Sequence, residues 1–325
     1  MFSDGTEQTL AWQTKSMFSS KQLVRLFVTS PSTWNTSKNQ LAKLRKKTGY
    51  TFANCKKALD MHNHDLEKAE KWLHAEAQAR GWAKATNLGG RKATEGLVAV
   101  LVNKNHGAMV ELNCETDFVA RNSAFQSLIQ TIAKSCISLV PQVCTNGNLL
   151  KKEVLEGGRL GSIPGPDGKS LADHVALQIG VLGENMILKR ALLVSANENI
   201  LLSGYSHPAP QQQSEIWLGK YGALVAYNTK DKQPLSESNS DFGKKLCQHV
   251  IGMKPKSVGN PETDKPQENA DDETVLIYQD YLLDPETKVK DVLDETNVEV
   301  LDFARFECGE SDVDDAEETA ARAQA

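Results

Sequence analysis

Few residue groups in this chain have the types and spacing to do chemistry. Gly165-Pro166-Asp167-Gly168-Lys169-Ser170 ends like a nucleotide-binding loop. A phosphate cradle needs a glycine five residues before the final one, and Ile163 stands there. The cradle also works through backbone amides, which Pro164 and Pro166 lack. With no other glycine-rich phosphate loop, the chain is not expected to bind GTP itself. His62 and His64 lie two apart with Cys55 as the nearest thiol; a metal would need more ligands on the same side, so a solvated turn is the simpler reading. No Ser, His and acid occur together in a nucleophile-elbow context. Covalent catalysis, a bound metal and a cofactor are therefore not expected.

Two other groups fit contact rather than chemistry. Asn113-Cys114-Glu115-Thr116-Asp117-Phe118-Val119-Ala120-Arg121 is a polar turn between an alternating apolar run and a helix-like one. A core ring is the ordinary reading of Phe118, but Asp117 before it and Arg121 after it argue for a turn aromatic that wedges into a partner. Burying one such ring contributes roughly 1.5–3 kcal/mol, and aromatics are enriched among interface hot spots. Lys43, Arg45, Lys46, Lys47, Lys56 and Lys57 form a basic cluster near Tyr50 and Phe52. Either a solvated face or a surface for an acidic protein explains it; nucleic acid would call for more interleaved aromatics.

The 325 residues suffice for a sizeable core and more than one domain. A net charge of −5 gives no overall bias towards nucleic acid. The six cysteines contain no C-x-x-C pair and read as reduced thiols of an intracellular compartment. No apolar run reaches the roughly 18–20 residues that span a bilayer. Between Met17 and Leu59 there is no acidic residue. With Lys21, Arg25 and Lys38 among many Ser and Thr, residues 1–39 read as a mitochondrial transit peptide or a disordered tail. Asp4 and Glu7 are unusual there, and a start at Met17 would remove them. Residues 310–325 read as a disordered acidic tail.

The expected fold class is α+β. Residues 40–82 read as three short helices: 41–47 closed by Thr48-Gly49, a second opened by Thr51 as cap, and a third with Leu66, Ala69, Trp72, Leu73 and Ala77 on one face and Gly81 as its stop. Residues 83–94 read as a linker. Residues 96–102 and 109–114 read as strands around a turn, and 125–137 as a helix burying Phe125, Leu128, Ile129, Ile132 and Ala133. Gly107-Ala108-Met109-Val110-Glu111-Leu112-Asn113 recurs as Gly222-Ala223-Leu224-Val225-Ala226-Tyr227-Asn228. Each copy precedes a helix, and an apolar run lies ahead of each, the second at 191–194. Two related lobes of small antiparallel sheet plus helices follow, at 95–189 and 190–309. Residues 170–188 read as a helix between them, 254–273 as a mobile Pro-rich insertion and 299–307 as a last strand.

The turn at 113–121 and the block Leu44-Arg45-Lys46-Lys47-Thr48-Gly49 through Cys55-Lys56-Lys57-Ala58-Leu59 resemble elongation factor Ts. So do Gly183-Glu184-Asn185 with Lys189-Arg190, and the stretch from Tyr281-Leu282-Leu283-Asp284-Pro285 to Phe303-Ala304-Arg305-Phe306-Glu307-Cys308-Gly309-Glu310. These ordered blocks cover roughly residues 40–309, and the transit-like amino terminus matches the mitochondrial branch. The small module is similar to a ubiquitin-associated fold, with Gly49-Tyr50 as its turn. The resemblance implies a guanine-nucleotide exchange factor for mitochondrial elongation factor Tu, acting in the mitochondrial matrix without covalent chemistry and without direct contact to nucleic acid, membrane or GTP. It implies that Thr116, Asp117, Phe118 and Val119 dock on the partner's G domain, Phe118 inserting and Asp117 supporting it, so that the partner's Mg²⁺ and then GDP leave. It implies that Arg45, Phe52 and Ala53 grip the same domain, although the family often has methionines where Phe52 and Ala53 stand. The match Gly204-Tyr205-Ser206-His207-Pro208 is partial, and no long coiled-coil insertion is apparent. The alternative is a ubiquitin- or peptide-binding adaptor acting through the three-helix module.

Overall fold

A computed structural model describes residues 32–48, 50, 52–143, 149–209, 215–230 and 237–310. The transit-like segment before residue 32, Gly49, the Thr51 cap, Cys144 and the acidic tail from 311 lie outside the described residues.

The amino-terminal module comprises α1 (Ser32–Thr48), α2 (Phe52–Met61) and α3 (Leu66–Leu88). The first helix starts well before residue 41 and so crosses the limit read at 39/40. Its first residues carry no apolar periodicity, which is why spacing alone begins the helix late. Asp65 caps α3 by accepting the N–H groups of Glu67 and Lys68, both at 3.1 Å. Leu44, Tyr50, Cys55, Ala58, Leu59, Ala69, Leu73 and Ala77 make the small core.

The first sheet contains β1 (Glu95–Asn103), β2 (His106–Cys114), β3 (Leu150–Glu156) and β4 (Met186–Ala196), with α4 (Asp117–Ala120), α5 (Ser123–Val143), α6 (Gly157–Gly161) and α7 (Leu171–Leu182) between strands. The second contains β5 (Leu201–His207), β7 (Tyr221–Thr229) and β10 (Val298–Glu307), with α8 (Glu237–Met253), the small hairpin β8 (Asp280–Tyr281) and β9 (Asp284–Lys288), and α9 (Val289–Glu295). Strand β6 (Ile216–Gly219) follows β5 but leaves its neighbours and pairs with β1, Ala99 facing Leu218. The strand orders are β3-β4-β2-β1-β6 and β10-β7-β5, antiparallel throughout.

The recurring heptapeptides are the central strands β2 and β7. Each half runs strand, central strand, helix, strand: β1-β2-α5-β4 in one and β5-β7-α8-β10 in the other. Two sequence expectations change here. The earlier strand that pairs with the second copy is β5, whereas the run 191–194 lies in β4 and pairs with β2, Val110 facing Ala191. The helix read over 170–188 stops at Leu182, because Gly183 takes a left-handed conformation (φ 85°) and closes it; Met186 then opens β4. The limit read at 189/190 therefore falls inside a strand.

The sheets pack face to face. Val98, Val100, Met109, Leu192, Val194, Leu202, Leu224, Ala226 and Phe306 fill the space between them. The close approach needs glycine: a Cβ at Gly222 would sit 2.6 Å from Val98 Cγ1, and one at Gly204 would sit 2.7 Å from Val100 Cγ1. Helices α5 and α7 cover the outer face of the first sheet, α8 and α9 that of the second. Fully buried Glu111 lies at one end of the inter-sheet layer. It accepts Arg190 Nε at 2.7 Å, Asn113 Nδ2 at 3.1 Å and the Gly309 N–H at 2.9 Å. The Arg190 guanidinium stacks 4.2 Å from the Phe306 ring centroid.

Gly81 does not stop α3, which runs on to Leu88 through half of the residues read as a linker. A Cβ at Gly81 would lie 1.7 Å from the Ala176 carbonyl oxygen on α7, and one at Gly180 would lie 2.3 Å from the Ala77 oxygen on α3. The two glycines let the helix backbones touch where they cross. Asp173, in the first turn of α7, fastens the crossing: its Oδ1 accepts Trp82 Nε1 and Gln78 Nε2, both at 3.1 Å. Residues 254–273, read as a mobile insertion, have an internal scaffold. Glu273 accepts the N–H groups of Gln267 at 2.9 Å and Val275 at 2.8 Å, and Ser257 bridges to Val275.

Candidate partner-binding site

The turn after β2 is built from beneath. Thr116 caps α4, its Oγ1 accepting the Val119 N–H at 3.4 Å. Val119 and Ala120 are buried against the first core. Successive helical residues diverge by about 100°, so burying these two turns Phe118 outward, where it is 79% exposed. The ordinary core reading of that ring is thus wrong for this chain. Asp117 Oδ2 pairs with Arg121 Nη2 at 2.9 Å across one helical turn.

Four residues cannot hold a helix by themselves; the support comes from the loop between α7 and β4. The Glu184 carboxylate accepts the Thr116 hydroxyl at 2.8 Å through Oε1 and the Thr116 N–H at 3.1 Å through Oε2. Glu115 Oε1 accepts the Asn185 N–H at 2.8 Å, and Glu115 Oε2 meets Arg91 Nη1 at 3.4 Å. Asn185 Nδ2 donates to the Arg91 carbonyl at 3.1 Å. Glu184 and Asn185 were visible in the sequence only as part of a block that resembles elongation factor Ts, with no role attached. The Cys114 thiol donates to the Thr116 carbonyl at 3.1 Å, and burial, aided by the Glu184 charge, pushes its pKa up to about 12. That thiol is a structural group under the turn and a poor nucleophile.

Arg45 is exposed on α1, and Phe52, 56% exposed, and Ala53 are exposed at the start of α2. Among the described residues no hydrogen bond or ion pair joins this set to Thr116–Val119. Within the basic cluster, Lys47 pairs with Glu70 at 2.6 Å and Lys57 lies 5.4 Å from the Trp72 ring centroid. The loop at 165–170 directs its amides inward: Gly165 N–H donates to the Lys169 carbonyl at 2.7 Å and Gly168 N–H to the Gly165 carbonyl at 3.0 Å. His64 sits in a left-handed turn (φ 62°), its N–H bonded to the Leu59 carbonyl at 2.8 Å. Among the described residues no three His, Cys, Asp or Glu side chains gather as a metal site, and no helix is long and apolar enough to cross a membrane.

The described residues thus present an exposed ring on a braced turn and a second exposed set on a docked module. Comparison with known proteins gives the lineage. Residues 24–83 match the family model for elongation factor Ts, mitochondrial, N-terminal, and residues 115–271 match that for elongation factor TS. Mitochondrial elongation factor Ts of Aedes aegypti is 52% identical over 290 residues, covering 88% of this chain and 91% of that protein. The Drosophila melanogaster protein of the same name is 46% identical over 301 residues, covering 91% and 92%. The Homo sapiens protein is 46% identical over 280 residues, covering 85% and 84%.

The chain belongs to the mitochondrial elongation factor Ts family.

The first family model takes in the module that carries Arg45, Phe52 and Ala53. The elongation factor TS model begins at Glu115, at the foot of the exposed turn. The adaptor reading of the three-helix module gains no support from these matches.

Proposed function

We propose that this chain is the guanine-nucleotide exchange factor of mitochondrial elongation factor Tu, and that it works by contact alone. The observation that carries the reading is Phe118, exposed at 79% on a turn whose neighbours are buried and clamped. In this reading Phe118 enters the partner's G domain, Thr116, Asp117 and Val119 shape the contact, and the partner's bound Mg²⁺ loses its setting. GDP, deprived of its metal, leaves and GTP enters. Arg45, Phe52 and Ala53 hold the same domain from the module. Linkage governs the outcome: a factor that weakens nucleotide binding is itself bound less tightly by the loaded partner, by the same factor. Nothing in the scheme needs a cofactor, a nucleotide site, a membrane or a nucleic acid on this chain. The mitochondrial relatives support the mitochondrion as its compartment.

The test is release of a fluorescent GDP from elongation factor Tu. With about four-fifths of the ring still available for burial, Phe118→Ala removes roughly 1.2–2.4 kcal/mol of the 1.5–3 kcal/mol that full burial supplies. Release should slow about 8- to 60-fold at limiting factor, with the melting temperature unchanged because the ring contributes little to the free fold. An unaltered release rate would sink the wedge.

A further inference from the structure

Two exposed sets that must meet one partner stand on different units of the chain, and one short segment touches the supports of both. Gly183 closes α7 and turns the chain so that Glu184 and Asn185 come under the end of β2. Glu184 takes both donors of Thr116, the cap of the wedge turn. Asn185, itself buried, binds Glu115 through its N–H and the Arg91 carbonyl through its side chain. Arg91 lies just past α3, its N–H returning to the Leu88 carbonyl at 2.8 Å. Helix α3 in turn crosses α7 backbone to backbone at Gly81 and Gly180. Residues 183–185 thus join the exit of the module helix, the end of α7 and the foot of the wedge.

We infer that Glu184 and Asn185 are positioning residues for nucleotide exchange: they lock the wedge turn at one setting relative to the module, so that Phe118 and the Arg45–Phe52 face reach the partner in a single pose. The inference rests on the wedge reading above. A charged acceptor binding two donors gives the stronger kind of hydrogen bond. Without it the Thr116 side chain keeps only its weak cap to Val119, and a four-residue helix lacks the length to hold its direction. A ring that samples several directions loses the advantage of preorganisation when it must enter a fixed pocket.

Positioning differs from simple bracing in a measurable way. A loss of fold lowers affinity for every form of the partner. A misaimed wedge leaves affinity for GDP-loaded partner unchanged and lowers it for the empty partner, because the differential contact is what drives exchange. The experiment measures, on the full chain, Kd for the loaded and the empty partner and the GDP release rate at saturating factor. The variants are Glu184→Ala, Glu184→Gln, Asn185→Ala and, in parallel, Phe118→Ala. Glu184→Ala should lower both the affinity ratio and the saturating rate by about tenfold, within the usual range of coupling. Glu184→Gln, which keeps one acceptor, should recover part of each. Glu184→Ala values within about twofold of the parent, beside a clear loss in Phe118→Ala, overturn the positioning role and leave the wedge standing. Equal losses for loaded and empty partner overturn it as well, showing bracing alone. No loss in Phe118→Ala overturns the wedge and this inference together. Should Glu184→Ala fail to fold, Glu184→Gln and Asn185→Ala decide by the same ratio.

Discussion

Replacing Gly81 by alanine sets two known effects against each other. Within a helix, alanine is favoured over glycine by about 0.8–1.0 kcal/mol, so local propensity predicts a more stable protein. The crossing predicts the reverse. The added Cβ would lie 1.7 Å from the Ala176 oxygen and 2.5 Å from its carbonyl carbon. Both are backbone atoms that no rotamer change can move, so α3 and α7 must part by more than about 1 Å to restore ordinary contact. Overpacking of this kind costs typically 1–3 kcal/mol and sometimes more. The parting would also strain the Trp82 and Gln78 bonds to Asp173. The net expectation is a loss of up to about 2 kcal/mol, and more where the backbones resist parting. At roughly 2–4 °C per kcal/mol for domains of 150–250 residues, the melting temperature should fall by several degrees. Gly180→Ala, whose Cβ would meet the Ala77 oxygen at 2.3 Å, should act alike. The double variant should lose less than the sum, because the first methyl already opens the gap; the shortfall should lie in the range of about 0.5–3 kcal/mol seen for touching sites. Thermal and urea unfolding of the four proteins measure the cycle. A Gly81→Ala protein more stable than the parent would refute the backbone-to-backbone crossing and return Gly81 to the role of a mere helix punctuator.

Two further outcomes follow from acidic groups that join separate elements. Glu111→Ala leaves the Arg190 guanidinium without its buried carboxylate and should cost about 3–5 kcal/mol in urea unfolding; adding Arg190→Met should recover part, and a loss below about 1 kcal/mol would show the pair to be dispensable. The Ser170 hydroxyl at 2.8 Å, then Trp82 and Gln78, hold the Asp173 carboxyl below its ordinary pKa. Its contribution is therefore present above the unfolded value of about 3.9 and lost as pH falls through the lower folded value. Melting temperatures of the parent and Asp173→Asn should differ at pH 6 and converge as pH falls through that lowered folded value; a gap that does not change with pH would show that the charge contributes nothing.

What the sequence made legible was whatever is periodic or repeated over short distances. The two heptapeptides announced β2 and β7 because both are central strands flanked on either side, and their burial leaves an apolar signature. Strand β3 was missed because Leu150-Lys151-Lys152-Glu153-Val154-Leu155-Glu156 lies at a sheet edge and buries few positions, among them Leu155. Strand β6 has only four residues, too few for any period. Gly81 was misread as a stop because the reason for a glycine inside α3 lies on α7, far along the chain. The exposure of Phe118 was foreshadowed by Asp117 and Arg121. The bond that steadies it, between Thr116 and Glu184, spans 68 positions and leaves no local trace. Sequence marked the tip of the site, and only the fold shows the hand that holds it.

One strand crosses from one half to the other. The two halves share a plan, as if each once sufficed, yet β6 from the later half completes the earlier sheet along Val98–Leu101 of β1. A gene severed ahead of β6 would yield an earlier half with a raw hydrogen-bonding margin, prone to associate wrongly. That short ribbon ties the two sheets together: a chain divided there cannot leave both with all their strands.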